Sequence, residues 1–255
     1  MFKKHFAIGL LALAVATQSC DSGNKTTAKA EIATPAAKHN TLTATEKNEG
    51  WTLLFDGKSI DKWKNFGKES ISKGWVVEDG CLKSLGKGGD IGGDIVTVDE
   101  FENFELSLEW KISHGGNSGI FYGVNDNSDK YKAPYYTGPE YQLIDDIGFP
   151  GKLNEWNKAG ANYAMHLPDK SKKRLQMIGG DFNVTKIVVK GNHVEHWLNG
   201  EKIVEFERWT PDWEERKAKG KWAKYPDYGT LKRGRIGLQD HGSPIWFRNI
   251  KIREL

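Results

Sequence analysis

Cysteine is almost missing from this sequence. Only Cys20 and Cys81 occur among its 255 residues. Cys20 ends an apolar N-terminal segment, so the remainder of the chain holds one thiol and cannot form a disulfide within itself. The sequence thereby excludes the disulfide-stapled frameworks that are common among small exported domains. We expect Cys81 to be a small buried side chain.

A long apolar run and a block of like charge are missing as well. The apolar stretch at residues 7–16 is too short to span a bilayer as a mature helix. The formal net charge is only +3, and the lysines are scattered rather than clustered. Nucleic acid is therefore not expected as a partner, because its binding requires a concentrated basic surface.

The N-terminal segment has the parts of a secretory signal. Two lysines precede the apolar stretch, and the sequence TQSC, ending at Cys20, resembles a bacterial lipobox. Residues 1–19 are therefore expected to be a lipoprotein signal peptide, with Cys20 as the lipidated N-terminus. An ordinary cleaved signal with an incidental cysteine is the alternative. A lipidated Cys20 would hold the exported protein on a bacterial membrane, in the periplasm or at the cell surface.

Aromatic residues are absent from residues 20–49, which are rich in alanine, threonine and lysine. Such a segment cannot bury enough apolar surface to offset the entropy lost on ordering. We therefore predict a disordered tether over residues 20–49 and a folded domain over residues 50–255. That length suits one all-β domain.

Short strand patterns dominate the predicted domain, and helical periodicity is rare. Residues 104–110, FELSLEW, alternate strictly between apolar and polar, and Asn199-Gly200 is the signal of a tight hairpin. Only residues 212–218, preceded by Pro211, have a helical signature. The pattern predicts an all-β sandwich of two antiparallel sheets with one short helix.

Polar side chains collect in residues 109–146, where strands usually bury apolar ones. Glu140 and Gln142 face one way in a regular strand, and a β-bulge after Gln142 would turn Asp145 to the same side. A polar strand that ends in a turn aspartate is the alternative. Glu109 and Asn117, on neighbouring strands, are expected to line the same groove.

The strand at residues 140–145 is similar to the bulged strand of laminarinase-type β-glucanases, which has the pattern E-x-D-x-x-E. Here Gln142 and Asp145 stand where those enzymes have an aspartate and a second glutamate. Aspartate is shorter than glutamate, so it does not reach as far toward a leaving group, and glutamine carries no charge with which to tune its neighbours. Ordinary hydrolysis by two opposed carboxylates is therefore not favoured.

Histidines supply the other candidate groups. His166 lies in the long irregular segment 149–174, and His241 ends a strand near the C-terminus. Imidazole with carboxylate can bind a divalent metal or perform acid–base chemistry. No HxxxH or HxH spacing occurs, so a metal site would have to be assembled across loops, with His166 and Glu140 as its candidate ligands.

Several segments together resemble one known family, the 3-keto-disaccharide hydrolase domain, also called DUF1080. They are FDGKSIDKW, GWVVEDGCL, FELSLEWKISHGGNSGIFY, GPEYQLIDD, VEHWLNGEKIVEFE and IGLQDHGSPIWFRNIKIREL. The resemblance extends over nearly all of residues 51–255. It implies a concanavalin A-like jelly roll, an exported Bacteroidetes-type lipoprotein, and action on 3-keto-glycosides.

A ketone at C3 of the sugar explains why a second glutamate is dispensable. It acidifies the proton on C2, so one base and one electrophile suffice to expel the group at C1. Hydrolysis and elimination both remain open. We expect Glu140, Asp145 and His166 to supply the base and the electrophile or metal ligands. Sugar hydroxyls would be held by Glu109, Asn117, Gln142 and His241.

Two other functions are compatible with the same fold, since a fold does not determine an activity. One is a non-catalytic carbohydrate-binding lipoprotein, which would bind unmodified glycans. The other is an ordinary β-glycosidase, against which the identities of Gln142 and Asp145 argue.

Overall fold

Thirteen strands form two antiparallel sheets in the computed structural model, which describes residues 39–88, 91–171 and 182–255. Cys20, the predicted signal peptide and most of the predicted tether lie outside the described residues. The strands are β1 (Thr52–Leu53), β2 (Trp63–Asn65), β3 (Trp75–Glu78), β4 (Cys81–Ser84), β5 (Ile95–Thr97), β6 (Phe104–Ile112), β7 (Asn117–Val124), β8 (Glu140–Ile144), β9 (Asn183–Lys190), β10 (His193–Leu198), β11 (Glu201–Glu207), β12 (Arg235–Leu238) and β13 (Ile245–Glu254).

The larger sheet has eight strands, in the order β11-β10-β9-β6-β13-β4-β3, with β1 also paired to β13. Strand β6 illustrates how the larger sheet packs on the core. Phe104, Leu106, Leu108 and Trp110 are buried on one face, and the polar residues between them are only half-buried on the other. This is the alternation that the sequence predicts, and it turns the apolar face of β6 into the core.

The smaller sheet has five strands, in the order β2-β5-β12-β7-β8. Its inner face contributes Ile95, Ile120, Tyr141 and Leu238 to the core that it shares with the larger sheet. Truncating one buried side chain of this kind to alanine lowers the free energy of unfolding by about 2–5 kcal/mol. The outer face of the smaller sheet carries the polar groups of the candidate site.

Tight turns occur where the sequence predicts them. Asp79 and Gly80 both have positive φ between β3 and β4, and Asn199 and Gly200 both do between β10 and β11. Positive φ at both central residues defines the turn whose twist matches a hairpin.

The predicted helix is present as α2 (Pro211–Lys219). Its N-cap Thr210 accepts a hydrogen bond from the N–H of Trp213, and Pro211 occupies the first turn. Trp213 is buried and stacks on Phe206 and on Tyr228. A 3-10 helix at Lys221–Lys224 follows α2 directly.

Residues 39–49 correct the predicted boundary of the tether, because they are folded onto the sandwich. A short helix, α1 (Ala44–Asn48), starts with a capping box formed by Thr43 and Glu46. Asn40 is buried, donates to the Gly80 carbonyl at 2.8 Å, and accepts from the Asn249 N–H at 2.8 Å. Polar contacts hold the segment in place, and the prediction missed them because it was based only on the small number of apolar residues in the segment.

Among the described residues, no helix is long and apolar enough to cross a membrane.

Candidate active site

A polar pocket of about 230 Å³ lies on the outer face of the smaller sheet. The sheet supplies its floor, and the loops before and after β8 and the 3-10 helix after α2 supply its walls. The lining residues are Asn117, Tyr135, Glu140, Gln142, Tyr163, Lys221, Tyr225, Gln239 and His241.

Strand register explains why the floor is polar. Gly119 of β7 pairs with Gln142 of β8, and Phe121 pairs with Glu140. Tyr141 lies between the two polar residues and points into the core, so alternation turns Glu140 and Gln142 outward together. The prediction that these two side chains share one face is therefore confirmed.

Glu140 is the central group of the floor. Its side chain lies across Gly119, so close that a β carbon at that glycine would come within 2.5 Å of Glu140 Oε1. Only glycine leaves this space open. The side chain is almost fully buried, and burial raises the pKa of Glu140 to about 8, against the opposing influence of the Lys221 charge.

Aromatic side chains form one wall and surround the ammonium group of Lys221. The Lys221 Nζ atom is 4.2 Å from the ring centroid of Tyr163, and Tyr135 packs edge-on against Tyr225 at 5.7 Å. Partial burial lowers the pKa of Lys221, while Glu140 opposes that change. The pocket thus places a cation and flat aromatic faces beside a buried carboxyl group, an arrangement suited to a small polar ligand.

Three amide oxygens of the lining have no hydrogen-bond partner within the described part of the chain. They are Asn117 Oδ1, Gln142 Oε1 and Gln239 Oε1, and all three are buried. The Gln142 Nε2 atom donates to the Asn157 carbonyl at 3.1 Å, which sets the orientation of that amide. Each unpaired acceptor costs about 1–3 kcal/mol, so the pocket favours a ligand rich in donors, such as sugar hydroxyls.

Oxygen atoms of this kind are also ligands for a hard divalent cation, but among the described residues the three metal-binding side chains close enough to share one ion are His193, Glu195 and Glu205, none of which lines the pocket. Carboxylate and amide oxygens suit Mg²⁺, Ca²⁺ or Mn²⁺, and His241 at the rim could add an imidazole nitrogen. The candidate ligand pair of Glu140 with His166 is not formed, because His166 does not line the pocket.

The position of His166 differs from its expected place beside the candidate base. Its ring stacks on Phe206 at 4.3 Å between centroids, and its Nδ1 atom is 3.0 Å from the Asn162 amide nitrogen. Burial, with the nearby charge of Arg216, lowers the pKa of His166 to about 4. The ring is therefore a neutral packing element between α2 and the larger sheet, because the turn from Asn162 directs it there.

Asp145 also differs from the expectation, and the alternative of a turn aspartate describes it correctly. Strand β8 pairs with β7 without a register shift, so no bulge turns Asp145 toward Glu140. Its carboxylate accepts the N–H groups of Gly115 and Gly148 at 2.8 Å and of Ile147 at 3.1 Å. Burial alone would raise the pKa of Asp145, but these hydrogen bonds outweigh it and lower the pKa.

Glu109 lies on the wrong sheet to reach the pocket. It projects from the outer face of the larger sheet, where its carboxylate accepts from Arg248 Nε at 2.7 Å and from Asn249 Nδ2 at 2.6 Å. Alternation in β6 identifies the polar face correctly, but it does not say which side of the molecule that face occupies. The expected role of Glu109 in holding sugar hydroxyls is thereby corrected.

Five lining residues are missing from the sequence-based set. Gln239 precedes His241 by two positions, so strand alternation could have identified it. Tyr163 lies in the same long irregular segment as His166, but Tyr135, Lys221 and Tyr225 carry no local signal. Tertiary packing alone brings these three to the pocket.

The fold and the pocket together define a carbohydrate-active jelly-roll protein, and solved structures agree with that class. A candidate glycosyl hydrolase from Parabacteroides distasonis ATCC 8503 is 45% identical, covers 86% of this chain and 100% of its own, and superposes with a TM-score of 0.78. A second candidate glycosyl hydrolase from the same organism is 31% identical, covers 80% of this chain and 99% of its own, and has a TM-score of 0.58.

Sequence comparison identifies the family. A 3-keto-disaccharide hydrolase of Bacteroides thetaiotaomicron is 33% identical over 264 residues, which cover 93% of this chain and 90% of that relative. Residues 50–253 match the profile of the 3-keto-alpha-glucoside-1,2-lyase-like domain. The chain belongs to this family, and both the resemblance and the jelly-roll fold inferred from the sequence are confirmed.

Proposed function

We propose that this protein cleaves the glycosidic bond of 3-keto-glycosides, with Glu140 as the base that removes the proton from C2. The observation that carries this proposal is the buried Glu140 carboxyl group, whose pKa is raised to about 8, on a floor of unpaired amide oxygens. A raised pKa makes a carboxylate a stronger base. The family and the 3-keto-disaccharide hydrolase relative support the choice of substrate.

The reaction follows from the chemistry of the keto sugar. Glu140 accepts the C2 proton, and the electron pair of the C2–H bond passes into an enolate with its charge on the C3 oxygen. The Lys221 ammonium group supplies positive charge at this pocket, which stabilises a developing oxyanion. Collapse of the enolate then breaks the C1–O bond. Release of the unsaturated sugar is elimination, and addition of water to its C1=C2 bond is net hydrolysis.

Substrate hydroxyls have matching acceptors in the pocket. Asn117 Oδ1, Gln142 Oε1 and Gln239 Oε1 would each accept one hydroxyl proton, and His241 would contact the sugar from the rim. A flat sugar face would pack on Tyr163 or Tyr225. A carbohydrate-binding protein without activity would use the same wall, but it would have no need of a buried carboxyl group with a raised pKa.

The experiment is turnover of a 3-keto-glucoside, followed by product analysis in D₂O and with or without a chelator. We expect wild-type protein to release the C1 substituent and to incorporate deuterium at C2 of any hydrolysis product. Glu140→Gln should lose activity by about 10²–10⁴-fold while retaining its fold. Wild-type turnover by Glu140→Gln, or turnover of an unoxidised disaccharide alone, would contradict the proposal.

Export and lipid anchoring through Cys20 are proposed on the sequence motif alone. The test is metabolic labelling with a fatty acid in a bacterial host. Label and membrane association should both be lost in Cys20→Ala, and an unlabelled wild-type protein would refute the anchor.

A further inference from the structure

A second carboxyl group faces the outer side of the smaller sheet, beside the floor of the pocket. The pairing of β5 with β12 places Ile95 next to Leu238, so the continuing register places Asp94 next to Gln239. The Asp240 N–H donates to Asp94 Oδ1 at 2.9 Å, which is consistent with that register. Because Ile95 and Leu238 point into the core, alternation turns Asp94 and Gln239 toward the pocket side.

Asp94 and Glu140 approach this face from opposite sides. Strand β12 lies between β5 and β7, and the Glu140 side chain already extends from β8 across Gly119 of β7. The backbones of β5 and β7 are two strand spacings apart, about 10 Å, and the Asp94 side chain shortens that gap. The two carboxyl groups are therefore less than about 10 Å apart, which is comparable with the roughly 5–9.5 Å between the paired carboxyl groups that flank a glycosidic bond in glycoside hydrolases.

The surroundings of the two carboxyl groups differ in charge. Glu140 has the Lys221 ammonium group nearby, which favours its ionised form. Asp94 is half-buried and has the Asp240 carboxylate as its charged neighbour. Burial raises the pKa of Asp94 to about 7, the hydrogen bond from the Asp240 N–H opposes this rise, and the Asp240 charge adds a smaller increase. Because the charge of Asp94 also raises the pKa of Glu140, the two carboxyl groups resist simultaneous ionisation, and near neutral pH the pair holds a proton as well as a carboxylate.

The contacts of Asp94 leave one of its oxygens available. Within the described ranges, its carboxyl group receives one hydrogen bond, from the Asp240 N–H to Oδ1. Asp240 is itself held by the N–H groups of Gly88 and Gly93, at 2.9 and 3.0 Å from Oδ2. Asp240 therefore anchors Asp94 without occupying its second oxygen, which can carry a transferable proton.

We propose that Asp94 is the general acid that protonates the leaving-group oxygen, an inference that rests on the function proposed above. Glu140 takes the C2 proton to leave the enolate described above, and the enolate electron pair then forms the C1=C2 double bond as the C1–O bond breaks. The electron pair of the C1–O bond goes to the leaving oxygen, which takes the Asp94 proton. The products are an alcohol and an unsaturated 3-keto sugar, and proton exchange with water restores both carboxyl groups.

The test compares Asp94→Asn with wild-type protein on two 3-keto-glucosides that differ only in leaving group. With methyl 3-keto-glucoside, whose leaving group is a poor one, kcat/KM should fall by about 100-fold or more. With 2,4-dinitrophenyl 3-keto-glucoside, whose leaving group needs no proton, it should fall by less than about tenfold. Asp61→Asn, an exposed position, is the matched control and should behave as wild type on both. Equal losses on the two substrates, or no loss on either, would overturn the role of Asp94.

One further measurement keeps the outcome decisive. If Asp94→Asn does not fold, a series of aryl 3-keto-glucosides is measured with wild-type protein. A shallow dependence of kcat/KM on leaving-group pKa is expected, and a steep one would refute acid catalysis. Wild-type protein that turns over neither 3-keto substrate would refute the proposed function itself. Wild-type turnover with an unaffected Asp94→Asn variant would refute only the inference about Asp94.

Discussion

Glu140 lies across Gly119, so that a β carbon at residue 119 would come within 2.5 Å of Glu140 Oε1. The two residues belong to adjacent strands, and Gly119 is opposite Gln142 in the register. The missing side chain at residue 119 is therefore what allows the buried carboxyl group to lie flat over the sheet.

Gly119→Ala should displace this carboxyl group and lower kcat/KM by about 10–100-fold, because a shift of about 1 Å at a reacting group can cost that much. Gly237→Ala is the control, since it adds a methyl group to the neighbouring strand against Phe121 rather than Glu140. Steady-state kinetics with thermal denaturation of both variants checks this. Equal activity losses in the two variants would show that a generally perturbed sheet, not Glu140, is responsible.

The raised pKa of Glu140 predicts opposite effects of pH on stability and activity. Between pH 4.5 and about 8 the folded state keeps a proton that the unfolded state releases, so the free energy of unfolding should fall as pH rises through this window. Glu140→Gln should therefore be more stable than wild type at pH 8, by about 1–3 kcal/mol, and similar at pH 4. Urea unfolding at the two pH values measures this.

For a base with that pKa, kcat/KM of wild-type protein should rise with pH up to a plateau above about 8 when the substrate is 2,4-dinitrophenyl 3-keto-glucoside, whose leaving group needs no proton. A rate that is independent of pH between 5 and 8 would contradict the assignment of Glu140 as the base.

Lys221 should set the pH at which kcat/KM rises. Its positive charge lowers the pKa of Glu140, so Lys221→Met should shift this rise to higher pH and reduce kcat/KM at pH 7 by roughly three- to tenfold. Lys224→Met, on the same 3-10 helix, is the control and should leave the profile in place. A pH–rate profile of the three proteins decides between an electrostatic role and a merely structural one.

His166 should affect stability in acid. Its pKa falls from 6.5 in the unfolded chain to about 4 in the fold, so the unfolded state binds the extra proton between these values. Stability should therefore decrease as pH falls from 6.5 to about 4, by up to about 3 kcal/mol. His166→Gln should flatten this dependence, as seen by urea unfolding at pH 7 and pH 4.5, and an unchanged slope would contradict the assignment of a buried neutral ring.

Alternation along single strands accounts for what the sequence predicted well. It identified the buried face of β6 and the shared orientation of Glu140 and Gln142, because side chains on a strand alternate whatever the strand packs against. The same rule correctly placed Glu109 on a polar face. The expectation that this face and the face that carries Glu140 line one groove was wrong, because the two faces belong to different sheets.

His166 and Asp145 show a different limit. Each is a residue type with catalytic capacity in a suggestive position, and each is directed by a local turn that sequence spacing does not reveal. Asp145 receives two backbone N–H groups from its own loop and one from the turn between β6 and β7, and His166 is stacked on Phe206 from a distant strand.

The sequence by itself determined the family, the two-sheet architecture, the hairpin turns, α2 and the strand that carries Glu140, because periodicity and turn chemistry are local properties. Tertiary structure decided which face became the pocket, that residues 39–49 joined the fold, and that Lys221 and Asp94 came near Glu140. These outcomes depend on how sheets and loops pack across long separations in the chain, where each contact is set by the shape of its partner. The strand around Glu140 could be found from its residues, whereas the groups around it could be found only in the folded molecule.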